Sequence, residues 1–252
     1  MMKTVSTQTL EQWLNSTLST AAFNDYCPNG LQVEGKPTIS HIISGVTASQ
    51  ALIDVATQRE ADALLVHHGW FWKGEDPRVL GTRKRRLAAL LSHDINLLAF
   101  HLPLDAHPVL GNNAQLARVL GLVAEPATAS NGLLWFGSMP GANTLNQIAS
   151  RVEQRLHRVP LVIGEEGLPV QRIAWCTGAA QNMLDQAIHG GAQVFITGEV
   201  SEPTVHLARE AGVGFISAGH HATERYGVQA LGQAIAQEFG IRVDFVDLDN
   251  PV

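Results

Sequence analysis

Cysteine is almost missing from this chain. Cys27 and Cys176 are the only two in 252 residues, which excludes a disulfide scaffold. They stand far apart, with no Cys-x-x-Cys spacing, so a reducing cytoplasmic setting is expected. Long apolar runs are missing too. Spanning a bilayer takes about 18 apolar residues, and even the stretch 88–100 is broken by Ser92, His93 and Asp94. The first twenty residues lack a basic segment followed by an apolar one. They read as an amphipathic helix carrying Leu10, Trp13 and Leu14 rather than a secretory signal. Charge is sparse, at 16% of residues with a net of −6, which argues against duplex DNA binding over the outer surface. The 45% hydrophobic fraction excludes an intrinsically disordered chain. No phosphate-binding G-x-x-x-x-G-K-[ST] loop, H-E-x-x-H zinc helix or G-x-S-x-G elbow occurs, and Gly212-Val-Gly214 precedes a strand rather than a helix.

What the chain does have is alternation. Residues 39–46, 63–66 and 95–100 read as strands, separated by helical periodicity at 48–59, with Leu52, Ile53 and Ala56 on one face, and at 83–91. The rhythm returns at 172–176, 181–188, 194–197, 203–210, 213–217, 224–238 and 242–248. Strand–helix alternation predicts an α/β fold with mostly parallel pairing. The halves also resemble each other. Shifted by 131 positions, Ala48, Gln50, Asp54, Ala56 and Ala61 fall on Ala179, Gln181, Asp185, Ala187 and Ala192. Shifted by 119, His101 and Asp105 fall on His220 and Glu224, so the first half carries twelve extra residues, assigned to the loop 69–81. The reading is a degenerate internal duplication: two similar α/β units, 1–125 with the N-terminal helix and 126–252, with a metal site between them and a C-terminal strand able to cross back. Chance alignment of two ordinary βαβ segments is the competing account for the apolar positions, less so for the repeated His-x-x-x-carboxylate. Residues 123–169 hold Gly, Pro and Asn turns and a further strand–helix pair at 133–137 and 144–156.

Chemistry-bearing residues gather at the carboxyl ends of three expected strands, where α/β folds place ligands. His67 and His68 close the strand beginning at 63. Neighbours in a continuing strand face opposite ways, so both serve one site only if the strand stops, which Gly69 permits. His101-Leu-Pro-Leu-Asp105 follows the next strand; Pro103 disfavours the helical region at Leu102 and predicts a turn rather than a regular helix. In Gly219-His-His-Ala-Thr-Glu224, His220 and Glu224 share a face if a helix starts near His221. Alone, each piece has a plain alternative: surface histidines, a turn Asp with a capping His, a surface ion pair. Together they supply four imidazoles and two carboxylates. That is too many for one catalytic zinc, and it suits two divalent ions about 3.5–4 Å apart. Nitrogen and oxygen ligands without thiolate fit zinc, iron(II), manganese or cobalt.

The strings Asn29-Gly-Leu-Gln-Val33, Gly45-Val-Thr47, His67-His68-Gly69, His101-Leu-Pro-Leu-Asp105, Gly111-Asn-Asn113, Thr197-Gly-Glu-Val200 and Gly219-His-His-Ala-Thr-Glu224 lie in order over nearly the whole chain. In them the chain resembles the GTP cyclohydrolase type 2 homologue family, in the short bacterial form that lacks a longer inserted domain. The resemblance implies a dinuclear metal centre with His67, His68, His101, Asp105, His220 and Glu224 as ligands, and self-association into a toroidal homohexamer. Either of His220 and His221 could be the ligand; the four-residue spacing and the repeat favour His220. The family name implies a metal-dependent hydrolase that attacks a purine ring carbon, opens the imidazole and releases formate. The substrate is then a small molecule, a purine nucleotide or a damaged or modified one, and no membrane is involved. The contrasting reading is a ring-shaped metal-binding protein without its own catalysis, holding nucleic acid or a protein partner in a DNA-damage or stress role.

Other residues carry two readings. Glu199 falls at the repeat equivalent of His68, as a catalytic proton shuttle or carboxylate beside the ions, or as a capping or solvated Glu. Asn112 and Asn113 read as a helix N-cap before ligand contact, and His107 as a turn residue. Trp70, Phe71 and Trp72 read as loop or subunit packing before a nucleobase pocket. Arg83-Lys-Arg-Arg86 opens a helix against the dipole; a solvated face or acids on a neighbouring subunit is favoured over an anionic partner. Cys176 reads as core, and Cys27 has no visible base to make it a nucleophile.

Overall fold

The computed structural model describes residues 3–125 and 132–252. In chain order its first elements are β1 (Val5–Ser6), α1 (Thr7–Thr17), β2 (Gly30–Val33), β3 (Thr38–Ile39), β4 (His41–Thr47), α2 (Gln50–Gln58), β5 (Ala63–His68), α3 (Gly81–Ser92), β6 (Asn96–Ala99) and α4 (Leu102–Ala106). There follow α5 (Asn112–Leu120), β7 (Val123–Ala124), β8 (Trp135–Ser138), α6 (Leu145–Leu156), β9 (Leu161–Ile163), β10 (Ile173–Trp175), α7 (Leu184–His189), β11 (Val194–Thr197), α8 (Glu202–Ala211), β12 (Gly214–Ser217), α9 (His220–Phe239) and β13 (Arg242–Phe245). Two compact units result: Met1–Leu104 with Gly227–Asp249, and Asp105–Tyr226 with Asn250–Val252.

The first unit holds a sheet ordered β13-β4-β5-β6-β2. β4, β5 and β6 run parallel, β2 lies antiparallel on β6, and β13 lies parallel on β4. The C-terminal strand therefore does cross back, pairing Arg242 with His41 and Phe245 with Ser44. The helices form for local reasons. The Ser49 hydroxyl accepts from the Leu52 N–H at 3.3 Å and starts α2. Leu52, Ile53 and Ala56 then face one way at helical spacing and pack with Leu64 and Val66 of β5 and with Leu97 and Ala99 of β6. Fully burying a side chain such as Leu52 contributes about 1.5–3 kcal/mol.

The second unit holds a sheet ordered β7-β8-β10-β11-β12-β9. Here β10, β11 and β12 are parallel, β9 is antiparallel on β12, and β8 is antiparallel on β10. Thr144 caps α6, whose Leu145, Ile148, Ala149, Val152 and Leu156 line its buried face. Both units thus share three parallel strands with an antiparallel strand beside the third. They differ on the other flank, where β13 is parallel and β8 antiparallel. The shared part is compatible with the duplication read from the sequence.

Several local expectations shift. The second unit opens at Asp105 rather than near 125, because Leu116, Ala117 and Leu120 of α5 bury in the same cluster as α6, Ile173 and Ile196. The 101–105 segment is a short helix rather than an irregular turn: Pro103 sits in its first turn, where a missing N–H costs nothing. α9 starts at His220, four residues before the predicted helix. Asn112 and Asn113 are not the cap of α5; that position is Gly111.

Candidate metal centre

In the first unit β5 ends at His68, and Gly69 breaks the strand as the sequence required. A Cβ on Gly69 would lie 2.3 Å from the Gln32 side-chain oxygen and 2.5 Å from the Ala99 methyl, so no other residue passes there without displacement. Past β6 the chain delivers His101. The three rings come together, with centroids 4.5 Å apart for His67 and His68, 5.2 Å for His67 and His101 and 5.8 Å for His68 and His101. One ligand atom from each lies within 4.8 Å of the others, a group that could hold a metal ion.

Each ring is oriented through Nδ1. His67, fully buried, meets the Phe100 carbonyl at 2.9 Å, and His68 meets the Thr47 hydroxyl at 3.2 Å. His101 meets the Asp25 carboxylate at 2.7 Å. Asp25 is itself held: it accepts from the Leu102 N–H at 2.9 Å, the Asn29 amide at 2.9 Å and the Tyr26 N–H at 2.6 Å. Burial pushes its carboxyl up, but the hydrogen bonds from His101, Asn29 and Tyr26 outweigh that and hold it at about 2. Cys27 lies within ligand distance of Asp25 and His101. Burial, then the Asp25 charge, pushes its thiol up to about 12, so it stays protonated at neutral pH and is no nucleophile.

In the second unit Asp105 is buried on α4, and its carboxylate accepts from the Asn112 amide at 2.8 Å and the Thr177 hydroxyl at 3.3 Å. Asn113, fully buried, accepts from the Thr177 N–H at 3.0 Å and donates to the Leu133 carbonyl at 3.0 Å. The two asparagines therefore fix Asp105 and the end of β10 rather than cap a helix. Because α9 begins at His220, Glu224 lies one turn on, and its carboxylate sits 3.1 Å from His220 Nε2. Glu199, just past β11, sits 2.6 Å from His220 Nδ1. Burial works against a charged His220, but Glu224 and Glu199 outweigh it and raise the imidazole to about 9. Gly178 carries φ +70°, and a Cβ there would stand 2.0 Å from the Glu224 carboxylate, so the chain forms a cradle around that acid that only glycine leaves open.

The histidines bracketed by these contacts are His67, His68, His101 and His220. His107 accepts from the Val109 and Leu110 N–H groups and is the turn residue expected. Arg83 pairs with the Glu75 carboxylate and donates to the Asp76 carbonyl, both on its own chain. Burial, then Asp105 and Glu224, pushes the Cys176 thiol up, as for a core cysteine. Sequence reasoning missed Asp25 and Thr177, and gave no role to Asn29 and Thr47, which stand in the motif strings. Their partners lie 76, 72, 72 and 21 positions away, where no local spacing reports them. The donor set fits a divalent ion: imidazoles turned by outer partners, and carboxylates.

The model of the family described as Duf34/NIF3 (NGG1p interacting factor 3) matches residues 5–251. A Neisseria meningitidis protein named "GTP cyclohydrolase 1 type 2 homolog" is 54% identical over 239 residues, 95% of this chain and 96% of its own length. The Escherichia coli K12 protein of the same name is 52% identical over 247 residues, 96% of this chain and 98% of its own length. Among solved structures, protein ybgI, titled as of unknown function, superimposes with a TM-score of 0.94 at 50% identity, covering 98% of this chain and all of that one. TTHA1606 from Thermus thermophilus gives a TM-score of 0.88 at 36% identity, again over 98% of this chain and all of that one. Among the described residues no helix is long and apolar enough to cross a membrane.

Proposed function

This chain belongs to the Duf34/NIF3 family, and from that premise we propose that it is a metal-dependent hydrolase acting on a purine nucleotide or a damaged or modified nucleotide. In this reading His67, His68, His101, Asp105, His220 and Glu224 together hold two divalent transition-metal ions, and the protein assembles as a homohexameric ring. When bound, such ions supply Lewis acidity, lowering the pKa of a water and polarising the carbon it attacks. The nucleotide substrate rests on the relatives' shared name and on the resemblance of the sequence motifs.

The observation that carries the reading is the treatment of the four imidazoles. Each has Nδ1 fixed by a partner in its own unit: Phe100, Thr47, Asp25 and Glu199. A ring fixed through Nδ1 is locked in orientation and, when neutral with the proton on Nδ1, keeps Nε2 as its lone-pair nitrogen, which is the arrangement metal-ligating histidines need; at His220 a bound ion would take the place of the Nε2 proton that faces Glu224. Glu199 acts in this scheme as a positioning carboxylate: it takes the His220 Nδ1 proton in a hydrogen bond and is well placed to receive or return it. Asn112 and Thr177 hold the Asp105 carboxylate in place by donating to it.

The test is a turnover screen of metal-loaded protein against purine nucleotides, with formate release as one readout, and against phosphoesters and amides. Turnover that His67→Ala abolishes is expected. No turnover in any of the three classes rejects the hydrolase.

A further inference from the structure

The Trp70-Phe71-Trp72 run that follows the paired histidines splits into three different roles. Trp70 is buried; its N–H donates to the Gln32 side chain at 2.7 Å and its indole N–H to the Ala48 carbonyl at 3.0 Å. It anchors the loop and is finished as a contact. Phe71 adopts φ +65°, a left-handed conformation that a bulky side chain occupies only at a cost, and its ring is 40% exposed. The turn so made lays Trp72 against the imidazoles. Its ring plane is perpendicular to that of His101, at 87° with centroids 4.9 Å apart, and lies 6.1 Å from His68. The Lys73 N–H donates to the Tyr26 carbonyl at 2.7 Å, which ties this loop to Tyr26. The Tyr26 ring is 62% exposed and 6.3 Å from His101. Trp72 itself is only half-buried.

A strained, multiply anchored backbone thus holds one partly open indole and one open phenol beside three imidazoles. Packing alone does not call for this, since Trp70 already fills the core. We propose that Trp72, with Tyr26 beside it, is a stacking platform for a planar heteroaromatic ring, the base of a nucleoside being the substrate class it fits. The inference deepens the functional reading above and rests on it for the choice of substrate. A π face accepts any planar base with little selection among them, and it gives nothing to a sugar phosphate that lacks a ring.

The test is calorimetric titration of the full-length protein with guanosine and, as the ringless control, ribose 5-phosphate. Wild type is compared with Trp72→Leu, Trp72→Phe and Tyr26→Ala. Leucine keeps an apolar side chain without a ring, and phenylalanine keeps the ring, so the pair separates stacking from packing. Trp72→Leu is expected to weaken guanosine about 10- to 100-fold and Trp72→Phe only a few-fold. Tyr26→Ala is expected to fall between them. Ribose 5-phosphate affinity and metal content should not move. Guanosine affinity in Trp72→Leu within about twofold of wild type overturns the platform. So does an unchanged affinity accompanied by an altered sedimentation state, which would make Trp72 a contact between copies, and so does a wild type that binds no guanosine. Setting the titration beside the turnover screen of metal-loaded wild type separates the two claims. Trp72-dependent binding in a protein that turns nothing over keeps the platform and rejects the hydrolase; turnover with Trp72-independent binding does the reverse.

Discussion

The two units end their parallel strands on different side chains. Past its parallel strands the first presents three imidazoles, His67, His68 and His101. The second presents one imidazole, His220, with the carboxylates Asp105 and Glu224. One position is common to both: a histidine just beyond the third parallel strand, His101 after β6 and His220 after β12, each with a carboxylate on Nδ1, at 2.7 Å and 2.6 Å. Yet those carboxylates come from different places. Asp25 lies in the loop before β2, whereas Glu199 follows the middle strand β11. What recurs is the hydrogen bond that turns the ring, not the residue that supplies it. The contrast extends to burial. The Asp25 side chain is 2% exposed with three further donors, while that of Glu199 is 33% exposed.

The comparison breaks most visibly at the two glycines. Gly178→Ala forces a Cβ onto the buried Glu224 carboxylate at a positive φ, and about 2–4 kcal/mol of unfolding free energy should be lost in denaturant titration. Gly69→Ala also meets the Gln32 side chain and the Ala99 methyl, but without a positive φ, and should cost less; equal losses would mean the second unit's cradle is no tighter than the first's. Next come the carboxylates. Asp25→Asn should weaken metal binding about 10- to 100-fold in competition with a chelator, and Glu199→Gln by less, since solvent can replace part of what it does. A larger effect from Glu199 would reverse the ranking drawn from burial.

The smallest effect concerns stability in acid. In the first unit Asp62 accepts from Lys36, from the Ser40 N–H and hydroxyl and from the His41 N–H, at 2.7 to 3.1 Å. Burial raises its carboxyl, but those donors outweigh it and leave the value lowered. A lowered folded value means stability present above the ordinary carboxylate range and lost as pH falls through the folded value. Asp62→Asn should therefore remove about 1–2 kcal/mol at neutral pH and flatten the acid limb. Hydrogen exchange should quicken at the β4 amides and not at β10; an equal change in both would deny the units separate stability.

Much of this was legible in the sequence. The parallel strands, their helices and the clustering of histidines at strand ends follow from apolar runs and from the 131- and 119-residue shifts. The partners that aim those histidines were not. Asp25 acts on His101 from 76 positions away and Asn113 on Thr177 from 64, and no periodicity encodes such pairs. The asparagines after Gly111 carried a signal that was misread: polar side chains at a helix start suggest a cap, and only burial shows that they fix Asp105 and β10 instead. The unit boundary was displaced because α5 has the ordinary amphipathic pattern that either unit could bury.

Elemental analysis of gently purified protein, beside a His67→Ala, Glu224→Ala double variant that removes one side chain from each unit, decides whether these residues hold metal. About two transition-metal ions per chain are expected in the native protein and near-complete loss in the variant, with fold retained by circular dichroism. Native protein that holds no metal after reloading, or a variant that holds as much as the native form, would contradict that expectation and return these histidines to structural roles.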